Sequence, residues 1–146
     1  MNPSIHIIKL VVGVDDLKDY YDWQQTVIFD YHGRPATPCW TRHKPTRGEE
    51  IIKSGGSLFR VIKNRIRCRH AILGFETVKT EQKGTMCMIV QSAQMIETIA
   101  APKRPFQGWR YFKPSDAPPE KGLYTGQDDE EISPEMEEEL RQAGIL

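Results

Sequence analysis

Between Ser57 and Ala93 the chain reads as one β-rich block after another, with almost nothing helical between them. "SLFRVIKNRIRC", "RHAILGFETVK" and "TMCMIVQSA" are dense in β-branched and aromatic residues, which fit a pleated, half-buried surface. "EQKG", Glu81 to Gly84, has the length of a hairpin turn between the last two. Asn64 can mark a bend between Ile62 and Ile66. A run of neighbouring strands must pair, and what precedes it decides the fold class. "SIHIIKLVVGV" predicts a buried strand. Asp15 or Asp16 then caps a helix in which Leu17, Tyr20, Tyr21, Gln24 and Val27 or Ile28 recur at helical spacing. Gly33 and Pro35 end it, and "ATPCWTRHKP" reads as a loop or short strand. "TRGEEIIKSGG" predicts a short helix, with Thr46 and Glu49 at capping-box spacing and Gly55 or Gly56 as its stop. Helices first and strands later argue for an α+β domain rather than an alternating parallel sheet. Several short strands curling on themselves predict a small, partly open β-barrel flanked by helices.

At 146 residues the expectation is one domain over 1–119, followed by an acidic linker and short C-terminal helix over 120–146. "KPSDAPPEKGLYTGQDDEE" has the Pro, Gly and acid content of a linker. Ser133 and Pro134 then open a helix whose only apolar stripe is Met136 and Leu140. No apolar run reaches the length of a membrane span. The N-terminal apolar run lacks a basic leader, and the odd cysteines Cys39, Cys68 and Cys87 favour reduced thiols. The expected location is therefore cytoplasmic.

The formal net charge is zero, with 20 basic and 20 acidic residues, but the signs are segregated. From Arg34 to Arg69 ten cations face only Glu49 and Glu50, and after Ser115 acids dominate. Such asymmetry points to nucleic-acid contact or an interaction tail. Within "NRIRCRHAILGFE", Arg65, Arg67 and Arg69 alternate with Ile66, Cys68 and His70, so a straight strand sets the arginines on one face and the others on the opposite one. Three cations at about 6–7 Å, twice the rise per residue, match the phosphate spacing of a nucleic-acid strand. The alternative is a charged, solvated strand face that resists aggregation. "KRPFQGWRYFK" interleaves Lys103, Arg104 and Arg110 with aromatic residues, supplying charge for phosphate and flat surface for bases. Arg42, Lys44 and Arg47 add cations, and Trp40, Trp109 or Tyr111 are the stacking candidates. The competing reading is that these aromatics belong to the core. No catalytic set is defined by spacing. No metal centre and no cofactor is expected, since the Cys39/His43 and Cys68/His70 pairs lack metal-ligand spacing.

"IHIIKLVVGVDDLKDYYDWQ", "GGSLFRVIKNRIRCRHAILGFE" and "RPFQGWRYFKPSDAPP" together resemble an uncharacterised family of small alphaproteobacterial proteins of unknown function. The likeness runs from about Ile5 to Pro119 and leaves the acidic tail outside. "KPTRGEEIIKSGG" followed by "ILGFETV" is also similar in layout to PUA-like domains, including the ASCH and EVE branches. That resemblance implies a small barrel that binds RNA or modified bases, or a small hydrolase of modified nucleosides. The leading expectation is an RNA or single-stranded nucleic-acid binding module without catalysis. The alternatives are a nucleoside hydrolase and a protein-interaction module whose acidic tail folds back on the basic body. Neither the oligomeric state nor the ligand follows from the sequence.

Overall fold

A computed structural model describes residues 3–127 and 133–144. The fold is α+β, dominated by one open sheet. Strand β1 (His6–Leu10) leads through a loop to helix α1 (Leu17–Gln25), whose first turn is closed by the Asp16 carboxylate accepting from the Asp19 amide at 2.8 Å. Strands β2 (Phe29–Tyr31) and β3 (Arg34–Thr41) form a hairpin over His32 and Gly33, both in the left-handed region. The stretch expected to be a loop or short strand is thus a strand of eight residues. Helix α2 (Gly48–Lys53) has Arg47 at its N-cap and no side-chain cap, so the expected Thr46–Glu49 capping box is not formed.

Strands β4 (Ser57–Ile62) and β5 (Arg65–Thr80) are joined by the two-residue turn Lys63–Asn64, with φ of 51° and 66°. Two successive positive φ values match the right-handed twist of the flanking strands. The break therefore falls at Asn64, and the two segments read separately on either side of Cys68 are one strand of sixteen residues. Strands β6 (Gly84–Ser92) and β7 (Met95–Pro102) run back along β5 end to end, β6 against residues 72–80 and β7 against residues 65–69. "MIETIAAP" is accordingly a strand rather than a helix. Strands β8 (Trp109–Phe112) and β9 (Glu120–Tyr124) pair with β1 and β7. The sheet has order β2-β3-β6-β5-β4-β1-β8, with β7 and β9 on the flank of β5, and only β1 and β4 are parallel. It does not close on itself.

Residues 120–124, expected in a linker, are the β9 strand of this sheet. The C-terminal helix α3 (Pro134–Gln142) is capped by Ser133, as its sequence predicts. It docks on β7 through polar atoms: the buried Glu137 accepts from the Ala100 amide at 2.5 Å and from Lys121 at 3.1 Å. Beyond Thr98 the β9 pairing lapses, and the Glu137 carboxylate takes over a donor of β7 there.

The core lies on both sides of the sheet. Tyr20 and Leu17 of α1 cover Cys68, Met95 and Ile62, whereas Phe112 covers Ile8, Phe59, Val61 and Ile66. A third cluster joins Ile51 of α2 to Ile7, Leu58 and Ile89. The β4–β5 register steps from Arg60↔Cys68 to Val61↔Ile66, which leaves Arg67 as the extra residue of a bulge. Ile66 therefore belongs to one cluster and Cys68 to another, and the strict alternation expected from Arg65 to His70 is broken at Arg67.

Candidate nucleic-acid interface

The three arginines of β5 are part-buried and stand beside carboxylates. Arg65 pairs with Glu138 at 2.7 Å and Glu135 at 3.7 Å, both from α3. Arg67 lies 3.9 Å from Glu97 of β7, and its Nε is buried without a partner. Arg69 pairs with Glu120 of β9 at 2.6 Å and donates to the Ser57 hydroxyl at 3.0 Å. Acids of β7, β9 and α3 thus neutralise this row, and burial pushes the Glu97 carboxyl above its ordinary range against the pull of Lys121 and Arg67. The arginine row is mainly the seat of the C-terminal segment.

The second basic segment behaves differently. The Lys103 amide donates to the Asn64 carbonyl at 2.8 Å, which draws residues 102–105 against the β4–β5 turn. Lys63, Asn64, Arg65, Lys103 and Arg104 then line one open groove of about 480 Å³, with Glu138 on its wall. Lys63 has an exposed partner in Asp15 at 3.4 Å, but Lys103 and Arg104 have no carboxylate within ion-pair distance among the described residues. Lys103 and Arg110 stand over the Phe106 ring at 5.8 and 4.9 Å from its centre, and Lys103 also approaches Phe112 at 5.9 Å. A second hollow of about 430 Å³ adjoins the groove, shares Pro102, Lys103 and Glu138 with it, and reaches Phe112 and α3.

The remaining candidates fall into two other places. Trp109 and Tyr111 stack edge to face at 5.0 Å, on residues that alternate with Arg110 and Phe112 along β8. Trp109 is part-buried against the core and donates from Nε1 to the His43 carbonyl at 3.1 Å, and the Arg47 amide donates to the Tyr111 hydroxyl at 3.2 Å. Lys44 lies beside Gly48 and Phe75 in the same neighbourhood, and the Arg47 side chain is paired with Glu50 at 2.7 Å. Trp40 is half-exposed on β3, and Arg42 donates to the Lys83 carbonyl at 2.7 Å. Arg42 is therefore held at the turn that ends β5, whereas Arg65 begins that strand, about 50 Å of extended chain away. One continuous site does not contain both.

Lys63 and Asn64 line the groove, and Phe112 lines the hollow beside it; none of the three was among the expected contacts. The signal for the first two was present: Lys–Asn between two β-rich runs is a hairpin turn, and a turn projects its side chains past the sheet.

A separate polar cluster is sealed inside. Arg60 is 5% exposed, and its donors go to the Lys9 and Leu10 carbonyls and to the Tyr20 hydroxyl. Tyr20 meets His70 Nε2 at 2.9 Å and accepts from Gln91 at 3.2 Å. His70 Nδ1 sits 2.7 Å from the Ser92 carbonyl, so Nδ1 carries the proton and Nε2 accepts from Tyr20. Burial pulls the His70 pKa down to about 3, so the ring is neutral, and burial pushes the Cys68 thiol up to about 12. This network is closed to solvent and ties α1 to the sheet; its chemistry is structural. No helix of the described residues is long and apolar enough to cross a membrane.

These features define an α+β protein with an open mixed sheet and a basic groove at one hairpin end. The chain belongs to a family of proteins of unknown function, DUF1489, whose model matches residues 7–146. The match runs through the C-terminal helix, so the acidic segment expected to lie outside the family is part of it. No curated protein and no solved structure matches the chain.

Proposed function

We propose that this protein binds single-stranded nucleic acid, RNA in the first instance, along the groove between the Lys63–Asn64 turn and residues 102–105. The observation that carries this reading is that Lys103 and Arg104, with no carboxylate within ion-pair distance among the described residues, share one groove with Arg65 and Lys63. Cations unmatched by carboxylates attract phosphate and release its counterions on binding. Lys103 and Arg110 stand over the Phe106 ring next to this segment, so cations and an aromatic group occur together, a combination that suits unpaired strands. A PUA-like kinship belongs to the same proposal, supported by a short helix ahead of a strongly paired β-strand run.

Fluorescence anisotropy of a labelled single-stranded RNA, titrated at several salt concentrations, tests it. The expected result is binding that weakens steeply with salt. In Lys103→Glu/Arg104→Glu the slope of log K against log salt should fall by about 1.4, roughly 0.7 per lost phosphate contact. Arg42→Glu, at the other end of β5, should leave it unchanged. No salt-dependent binding of any single strand overturns the proposal.

A further inference from the structure

Helix α3 is held to the sheet by charge rather than by apolar packing. Glu137 is the one buried side chain among its nine residues; Met136 is half-exposed and Leu140 part-buried. Glu137 answers the Ala100 amide and Lys121. One residue on, Glu138 takes Arg65 through two donors, since Nε and Nη2 both lie 2.7 Å from its Oε2. Glu135 stands 3.7 Å from Nη1 of the same guanidinium. All three nitrogens of the Arg65 fork therefore face carboxylates of α3. A phosphate would engage the same fork, because guanidinium donors suit the oxygens of carboxylate and phosphate alike. Arg65 and Glu138 both line the groove where the strand would lie. The helix has four glutamates and one cation, Arg141, and Arg141 borders the adjoining hollow rather than the groove.

We infer that α3 is an autoinhibitory strap: its carboxylates stand where a phosphate would sit on Arg65, and a bound strand displaces them. The inference rests on the proposed single-strand binding and adds the regulation of that site. Only the fraction of molecules with the strap lifted presents a free Arg65, and apparent affinity falls by that fraction. A strap docked about ten to one weakens binding about tenfold. The cost of lifting it is confined to a few polar contacts, since no apolar side chain of α3 is fully buried.

The test uses the full-length protein, a labelled single-stranded RNA and three variants of α3. Glu138→Gln keeps the shape of the side chain and removes its charge from Arg65. Glu137→Ala frees the helix from β7 without touching Arg65. Glu139→Gln removes an exposed charge that is not a partner of Arg65. The first two should each raise RNA affinity by about five- to tenfold at low salt, and the third should change it by less than about twofold. Saturating RNA should also speed hydrogen exchange at the Ala100 amide of the wild type, because its acceptor leaves with the helix. Wild-type binding that neither Glu138→Gln nor Glu137→Ala strengthens overturns the strap and leaves the groove standing. An equal gain in all three variants reduces α3 to diffuse negative charge and overturns displacement at Arg65. An Ala100 amide as protected with RNA as without it overturns displacement as well. Binding by neither the wild type nor the variants removes the groove, and the strap with it.

Discussion

The Lys103 amide and the Asn64 carbonyl are joined by a 2.8 Å hydrogen bond across 39 residues of sequence, and that bond sets the width of the basic groove. Asn64 can offer its carbonyl there because it follows Lys63 in a tight turn with both residues at positive φ. Asparagine tolerates that conformation; a β-branched residue does not. Asn64→Val should therefore cost about 1–2 kcal/mol in chemical denaturation and also weaken RNA binding. Asn64→Gly should keep both. Equal behaviour of the two variants would dissociate the turn from the groove.

His70 predicts a pH dependence of stability. Its folded pKa of about 3 lies below the unfolded value of 6.5, so protonation favours the unfolded chain. The contribution is full above pH 6.5 and shrinks as pH falls towards 3. At pH 5 the loss is about 2 kcal/mol, from 1.36 kcal/mol per unit over one and a half units. Urea melts of the wild type and His70→Gln at pH 7.5 and pH 5 check it: the variant should be less stable at neutral pH and lose less on acidification.

Glu137 is the polar anchor of α3. It answers a β7 amide and Lys121 from a buried position, and the helix offers little else that is apolar, since Met136 is half-exposed. Glu137→Ala should release the helix at about 1–3 kcal/mol, the cost of leaving a buried donor unanswered. Hydrogen exchange at Ala100 should accelerate, while amides paired between β4 and β5 should not. Unchanged protection at Ala100 would show that the helix docks without this carboxylate.

Two adjacent glycines after α2 should differ sharply on substitution. Gly55 has φ of 73° with open space around it, so Gly55→Ala should cost about 1 kcal/mol. Gly56 is not in the left-handed region, but an added Cβ would fall on the Ile5 carbonyl and crowd Ile51. Backbone cannot step aside as a side chain can, so Gly56→Ala should cost about 3 kcal/mol or more and lower the thermal midpoint further. If the two variants melt together, the close approach of the Ile5 carbonyl to this glycine is not a constraint.

Much of the architecture was legible from residue pattern. The buried first strand, the Asp16-capped helix, the β-rich middle and the Ser133 cap all rest on local chemistry, which the sequence carries on its face. What local pattern missed was set by partners distant in sequence. "EKGLY" resembles a linker until β7 offers it an edge, and Thr46 fails as a cap because the helix begins one residue later. The arginine row shows the same limit. Its spacing suits phosphates, yet alternation cannot reveal that Glu97, Glu120 and Glu138 come to lie beside it. The second basic segment was recognisable by composition, but its union with the Lys63–Asn64 turn follows from the β5–β7 pairing, which the Lys103–Asn64 hydrogen bond extends and no motif encodes.

β5 is hydrogen-bonded to β4 and β7 along its first part and to β6 along its second. Both ends of the protein therefore read their registration from the same sixteen residues. A single residue deleted between Cys68 and Ile72 would be felt at the groove or at the β3–β6 ladder, wherever the chain chose to absorb the slip, because side chains exchange faces with each one-residue shift. An insertion there must be taken up by a bulge, as the register shifts at Arg67 and between Ile72 and Gly74 already take up an extra residue each.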